Sequence, residues 1–317
     1  MHILVIGLGV IGTTYGYLFQ RAGLSVEHYV RASSARYGVR QVTVEMLDGR
    51  ANGTPQWTRG TYHVHPRSRT DYDFILVSVP GGGIASVARE LRELGVTGTL
   101  VFACGIWQDR AFVGQAAGGY PYVLGYPVAG GRMEDGMLRC CVTGEFQMEA
   151  PSRADIPDYG KLERLFAAAG VTLRHPYDML QWIWLHMAVN AGVVAVAASH
   201  GGTSDPTAAA ERLMGSVPLL RETVRCIRQT CRIVASRGVP LWRFAHTLLP
   251  YALPTWLAAP LMRRLFARDA VTRDIMTLHH DERDLLYVCS NVYGTGRRNR
   301  VRAPLFYDDY RRALRGR

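Results

Sequence analysis

The feature that most constrains this chain is residues 2–16, HILVIGLGVIGTTYG. Ile3 to Ile6 read as a buried strand, Gly7, Gly9 and Gly12 form G-x-G-x-x-G, and a helical pattern follows at once. Each glycine has a physical task. Gly7 allows the tight strand-to-helix turn, Gly9 lets the backbone approach a diphosphate, and Gly12 lets the helix pack on the strand. The start of the helix offers unpaired N–H groups and a positive dipole end to the same phosphates. The arrangement predicts an α/β fold that begins with a dinucleotide-binding unit.

A length of 317 residues suits two domains of roughly 150 residues each. The first half alternates strand and helix patterns. Strands are expected at 3–6, 25–30, 41–48, 61–64, 74–79 and 99–103, with helices at 11–22 and 84–94. Further strands at 120–128 and 137–143, a helix at 158–169 and a short strand at 171–174 complete this half. Such an order predicts a Rossmann-type doubly wound parallel sheet over residues 1–174. From residue 178 the pattern becomes long helices at 178–198, 208–214, 219–236 and 272–291, so an all-helical substrate and dimerisation domain is expected over 175–317.

The formal net charge is +11, and Lys161 is the only lysine among 37 Lys and Arg residues. The arginines are dispersed, and Arg221, Arg225, Arg228 and Arg232 recur at helical spacing as a solvated face. No nucleic-acid reader motif accompanies them. The cysteines, Cys104, Cys140, Cys141, Cys226, Cys231 and Cys289, show no C-x-x-C spacing, so free thiols and no metal are expected. Residues 247–262 are apolar but carry Pro250, Pro254 and Pro260, which argues against a spanning helix. With the first strand at the N-terminus leaving no room for a leader, a cytoplasmic protein is expected.

In an NAD-binding fold an acidic residue after the second strand holds the ribose 2′-hydroxyl. Here that position is Arg31, followed by Ser33, Ser34 and Arg36. A guanidinium there suits a 2′-phosphate, so NADP(H) is the expected cofactor, with Arg31 and Ser33 as ligands.

Residues 182–198, WIWLHMAVNAGVVAVAA, form an almost wholly apolar helix broken by His186 and Asn190. Their spacing of four places both on one face. One reading is a pair of satisfied core residues. The other is a substrate site, since hydride reduction of a carbonyl needs a proton donor and His suits that task. The cluster HHDERD at 279–284 adds Glu282 and Asp284, and Asp274 lies eight residues before Glu282. Trp107, Trp182, Trp184 and Trp242 are candidates for an apolar pocket, though helical spacing more often means core.

The fingerprint ILVIGLGVIG, Arg31, LVSV before Pro80, GYPVAGGRMEDG, IWLHMAVNAG, TLHHDERDLL and the later APLF together resemble the ketopantoate reductase (2-dehydropantoate 2-reductase) family. The resemblance implies a Rossmann domain with a helical domain, NADPH, reduction of a 2-oxo group, and a homodimer. It implies that Asn190 and Glu282 are catalytic and that Asp284 and Asp274 bind substrate. The family's catalytic Lys is His186 here, its Lys after the fourth strand is Pro80, and its Asn after the fifth is Cys104. Pro80 and Cys104 thus occupy cofactor-facing strand ends. A second family Asn is Val194, and a Ser is Ala270. Histidine for lysine lowers the unperturbed pKa from ~10.4 to ~6.5. The expectation is therefore an NADPH-dependent reductase of a carbonyl or imine substrate other than ketopantoate, with His186 as acid. The alternatives are an authentic 2-dehydropantoate 2-reductase and an NADP-binding protein without reductase activity.

Overall fold

The first apolar run becomes β1 (His2–Ile6), in which every residue after His2 is buried. A continuous apolar strand of this kind belongs at the centre of a sheet covered on both faces. In a computed structural model the described residues are 1–50, 54–79, 81–202, 204–277 and 282–315, with only the backbone described over 282–286. They divide into two compact units, Met1–Leu180 and Gln181–Arg317.

The first unit continues with α1 (Val10–Arg21), β2 (Ser25–Tyr29), β3 (Gln41–Gly49), β4 (Gln56–His63), β5 (Asp71–Val77), α2 (Ile84–Glu93) and β6 (Thr97–Ala103). It ends with α3 (Arg110–Ala117), β7 (Tyr122–Glu134), β8 (Met137–Met148), α4 (Tyr159–Ala168) and β9 (Thr172–Arg174). The strands form one sheet in the order β2-β1-β5-β6-β7-β8-β3-β4, with β9 beside β8. The run from β2 to β7 is parallel. The β7–β8 and β3–β4 pairs are antiparallel, so the expected parallel sheet carries a mixed extension. That extension curls back. The backbone N–H of His28 in β2 donates to the carbonyl of His65, and Arg67 donates to His28, at 2.7 and 2.9 Å. The segment after β4 thereby covers the free edge of β2, which removes an exposed edge.

The core of this unit is aromatic where α1, β8 and α4 meet. Tyr15 meets Phe146 edge-on at 5.2 Å, and Phe166 lies 4.7 Å from Phe146 and 5.6 Å from Phe19. Such pairs add about 0.5–1.5 kcal/mol beyond the area they bury. Lys161, the sole lysine, pairs with Asp73 of β5.

The helical unit contains α5 (Met179–Gly201), α6 (Pro206–Gly215), α7 (Val217–Ala235), α8 (Ala245–Ala252), α9 (Thr255–Arg268), α10 (Ala270–Thr277), α11 (Glu282–Arg298) and α12 (Pro304–Arg315). No strand occurs in it among the described residues. Gly192 of α5 allows a close approach to α7, because an added Cβ would lie 2.9 Å from Ile227 Cγ1. Leu220, Val224, Ile227 and Cys231 of α7 are buried, as the 3.6-residue period requires.

Arg221, Arg225 and Arg232 face solvent as expected, but Arg228 does not belong to that face. It donates to the carbonyls of Tyr251 and Leu253 and so closes the C-terminal end of α8. The expected helix at 272–291 is found as α10 and α11, with residues 278–281 outside the described set. The helices α3, α8, α9 and α12 had no sequence expectation, since they are short or carry proline. Residues 247–262 do not form a spanning helix, but α5 is long and apolar enough to cross a membrane by length and composition, and 56% of its apolar window is buried within the fold.

Candidate functional site

The glycine turn has the geometry its spacing demands. Gly7 adopts φ +79°, a left-handed conformation that favours glycine. At Gly12 an added Cβ would sit 2.8 Å from Val5 Cγ1 and 2.9 Å from Ser78 Oγ, so helix and strand are in direct contact there. Gly9 is the N-cap of α1 and supplies no side-chain cap, and an added Cβ would meet nothing within 4 Å. The helices α2, α8 and α9 also start without a side-chain cap, whereas four others carry one. Asp109, Asp158, Asp205 and Ser216 each cap their own helix with a side-chain oxygen. The α1 terminus leaves its amides without such an acceptor, and the position of a Gly9 side chain is open, a fit for a diphosphate.

Two residues with no sequence expectation hold this turn. His28 is 2% exposed. Its Nδ1 lies 2.7 Å from the Gly7 carbonyl, and its Nε2 lies 2.6 Å from the Tyr62 hydroxyl. A carbonyl can only accept, so Nδ1 carries the proton and donates it, and Tyr62 donates to Nε2. Burial pushes the His28 pKa down to about 4, which keeps this neutral tautomer at physiological pH. Gly16 makes room for the arrangement, since an added Cβ would lie 2.5 Å from the Tyr62 oxygen. His28 occupies an inward position of a strand, which the alternation Val26–His28 could have signalled. Tyr62 carried no signal, because only the curl of the sheet brings β4 to β2.

Arg31 lies just beyond β2 with its side chain about half exposed. It is not a solitary cation. Its Nε donates to Glu90 Oε2 at 2.7 Å and its Nη2 to Ser86 Oγ at 2.7 Å, both on α2. Tyr29 donates to the other Glu90 oxygen at 2.5 Å. The guanidinium is thus oriented, and part of its charge is offset. Arg36 donates to the carbonyl of Leu8 inside the glycine turn at 3.1 Å. Ser33 is exposed in the loop between them. Cys104 follows β6 and is buried. Pro80 lies outside the described residues.

The first unit also holds a cavity of about 580 Å³ lined by Arg110, Tyr122, Glu149 and Arg153, among others. Tyr122 begins β7, so the cavity lies at the end of the parallel strands opposite the glycine turn. Ligands of such sheets bind at the carboxyl ends of the strands, and this cavity is not the nucleotide site.

In the helical unit, His186 and Asn190 are one turn apart on α5, and each keeps partial solvent exposure. The imidazole stacks on Trp182 with ring centroids 4.9 Å apart and planes 10° apart. Burial pushes its pKa down to about 4, so it is neutral at pH 7. Trp182 and Trp184 are buried, whereas Trp242 is 69% exposed. Arg237 lies over the Trp184 ring. Asp274 on α10 is paired with Arg273 at 3.6 Å. Glu282 and Asp284 stand in the first turn of α11, with side chains outside the described residues.

Residues 3–104 match the model of the family Ketopantoate reductase PanE/ApbA. No curated protein matches the chain. Three solved structures of similar fold illustrate the range. D-mandelate dehydrogenase with NADH and anilino(oxo)acetate aligns with a TM-score of 0.67 at 11% identity, covering 100% of this chain and 98% of that one. 2-Dehydropantoate 2-reductase from Methylococcus capsulatus aligns at 0.60 and 18%, covering 100% and 98%. NADP+-bound yersinopine dehydrogenase aligns at 0.65 and 10%, covering 100% and 90%. At these identities the likeness establishes the fold.

Proposed function

We propose that this chain is a member of the ketopantoate reductase family and an NADPH-dependent reductase of a carbonyl or imine substrate. The observation that carries the reading is the α1 terminus, an uncapped glycine turn with open space where a Gly9 side chain would stand. The family match over the same residues supports it, and so do the dehydrogenases that share the fold. Gly7, Gly9 and Gly12 would hold the diphosphate. Arg31 would meet a 2′-phosphate with Ser33 beside it, while Glu90 limits how much of its charge the phosphate can use. Pro80 and Cys104 would stand at the strand ends facing the nicotinamide.

The bound dinucleotide supplies a hydride. The chain supplies the proton and the orientation. His186 holds the proton destined for the developing alkoxide, and Asn190 donates an amide hydrogen bond to the reacting oxygen. Glu282 is the proposed orienting carboxylate, with Asp284 and Asp274 as substrate contacts. A pKa of about 4 makes the protonated imidazole scarce at pH 7. Reduction therefore draws on a minor form, whereas the reverse reaction finds His186 already in its basic form. Histidine at 186 and proline at 80, in place of the family's two lysines, support a substrate other than ketopantoate.

The exposed apolar residues Leu257, Leu261 and Leu265 recur every four residues along α9, with Trp256 beside them. They support a homodimer. A soluble cytoplasmic enzyme, without nucleic acid or membrane as partner, is part of the same reading. The test is NADPH oxidation across 2-oxo acids, ketones, 1,3-dicarbonyls and cyclic imines. Turnover of one class above ketopantoate supports the proposal. Preference for ketopantoate identifies a 2-dehydropantoate 2-reductase. NADPH binding without turnover of any compound overturns the reductase.

A further inference from the structure

At the C-terminal end of α5, the helix that also carries His186, three helices bring together His200 of α5, Glu222 of α7 and Asp309 of α12. One donor atom of each lies within 4.8 Å of the others. His200 Nε2 and Glu222 Oε2 are hydrogen-bonded at 3.1 Å, a distance close to that between two neighbouring ligands on one metal ion. Asp309 is the unusual member. It is 0% exposed, and only its Oδ1 is engaged, accepting from Ser199 at 3.3 Å and Arg312 at 2.5 Å. Its Oδ2 is buried with no hydrogen-bond partner. A buried carboxylate oxygen without a partner is costly, and such groups are normally paired or bound to a metal.

The charges agree. Glu222 and Asp309 bring two negative charges to the cluster, and Arg312, 3.9 Å from Glu222 and 2.5 Å from Asp309, offsets one. Arg212 donates to the His200 carbonyl at 2.9 Å and fixes the helix end that carries the imidazole. Arg312 occupies Oδ1, so it can orient the carboxylate while Oδ2 stays available to a cation.

We propose that His200, Glu222 and Asp309 form a divalent transition-metal site that ties the C-terminal helix α12 to α5 and α7. One imidazole and two carboxylates suit Zn²⁺ or Mn²⁺ better than Mg²⁺, which prefers oxygen ligands and retains its water. Three protein ligands leave a position for water. No spacing motif announces the site, because its donors are spread over residues 200–309.

The test uses the whole chain, stripped with chelator and titrated with Zn²⁺ alone, Mn²⁺ alone and Mg²⁺ alone. Bound metal is measured by equilibrium dialysis, and the melting temperature is followed in parallel. One Zn²⁺ per chain with a raised melting temperature is expected, and Mg²⁺ should give neither. His200→Gln should weaken Zn²⁺ binding at least tenfold and abolish the rise, with NADPH binding unchanged. His200 is solvent-accessible, so this variant is expected to fold, whereas Asp309→Asn changes a buried position. Absence of saturable Zn²⁺ binding, or equal binding by wild type and His200→Gln, overturns the site.

Discussion

The glycine turn before α1 and the His186–Asn190 face of α5 carry their chemistry in different ways. At the turn the proposed working groups are backbone amides, and the sequence encodes them by leaving side chains out: Gly9 gives α1 no cap, and Gly12 admits no Cβ without displacing Val5 or Ser78. On α5 the proposed working groups are two side chains in an apolar helix, and their behaviour depends on what surrounds them. The same imidazole would titrate near ~6.5 in water, and here burial against Trp182 brings it to about 4. A motif built from absence of side chains is portable, whereas one built from side chains is tuned by its neighbours.

The sharpest way to break this comparison is at His186. His186→Ala should lower turnover by about 10²–10⁴-fold and leave NADPH affinity unchanged, as read by steady-state kinetics and fluorescence titration. Retained turnover would return His186 to the core. In the wild type, kcat/KM for reduction should fall tenfold per pH unit above about 4, since the imidazolium is the active form in the free enzyme. The reverse reaction should rise through the same pKa and stay level above it. A reduction profile that is flat from pH 5 to 8 would remove His186 as the acid.

At the turn, Arg31→Ala should weaken NADPH by roughly 10- to 100-fold, corresponding to about 1.5–3 kcal/mol for a hydrogen bond to a charged group. NADH affinity should hardly change. Equal losses for both cofactors would show that Arg31 serves Glu90 and not a 2′-phosphate. Gly12→Val should destabilise the fold by about 1–3 kcal/mol through overpacking against β1, measured by urea unfolding. Tyr62→Phe should cost about 1 kcal/mol for the lost hydrogen bond to His28. Its effect should appear as weaker NADPH binding together with lower stability, because the His28 ring that Tyr62 holds is bonded to Gly7.

The fold was legible where local physics dominates. The β1 run, the turn and α1 could be placed within a residue or two, because a strand buried on both faces and an uncapped glycine helix start leave plain marks. The Asp caps at Asp109 and Asp205 were equally readable in principle, though α3 drew no expectation because eight residues give little periodicity. The position of Arg31 just after the second strand was legible, but its partners Ser86 and Glu90 lie more than fifty residues away and left no mark beside it.

Sequence alone determined the N-terminal α/β unit, the glycine geometry of its first turn and the change to helices beyond it. All three rest on spacing, which is a local property. Tertiary structure decided the curl that sets Tyr62 behind His28, the neutral state of His186 and the meeting of His200, Glu222 and Asp309. Each depends on groups remote in sequence being desolvated together, and desolvation is a property of the packed chain.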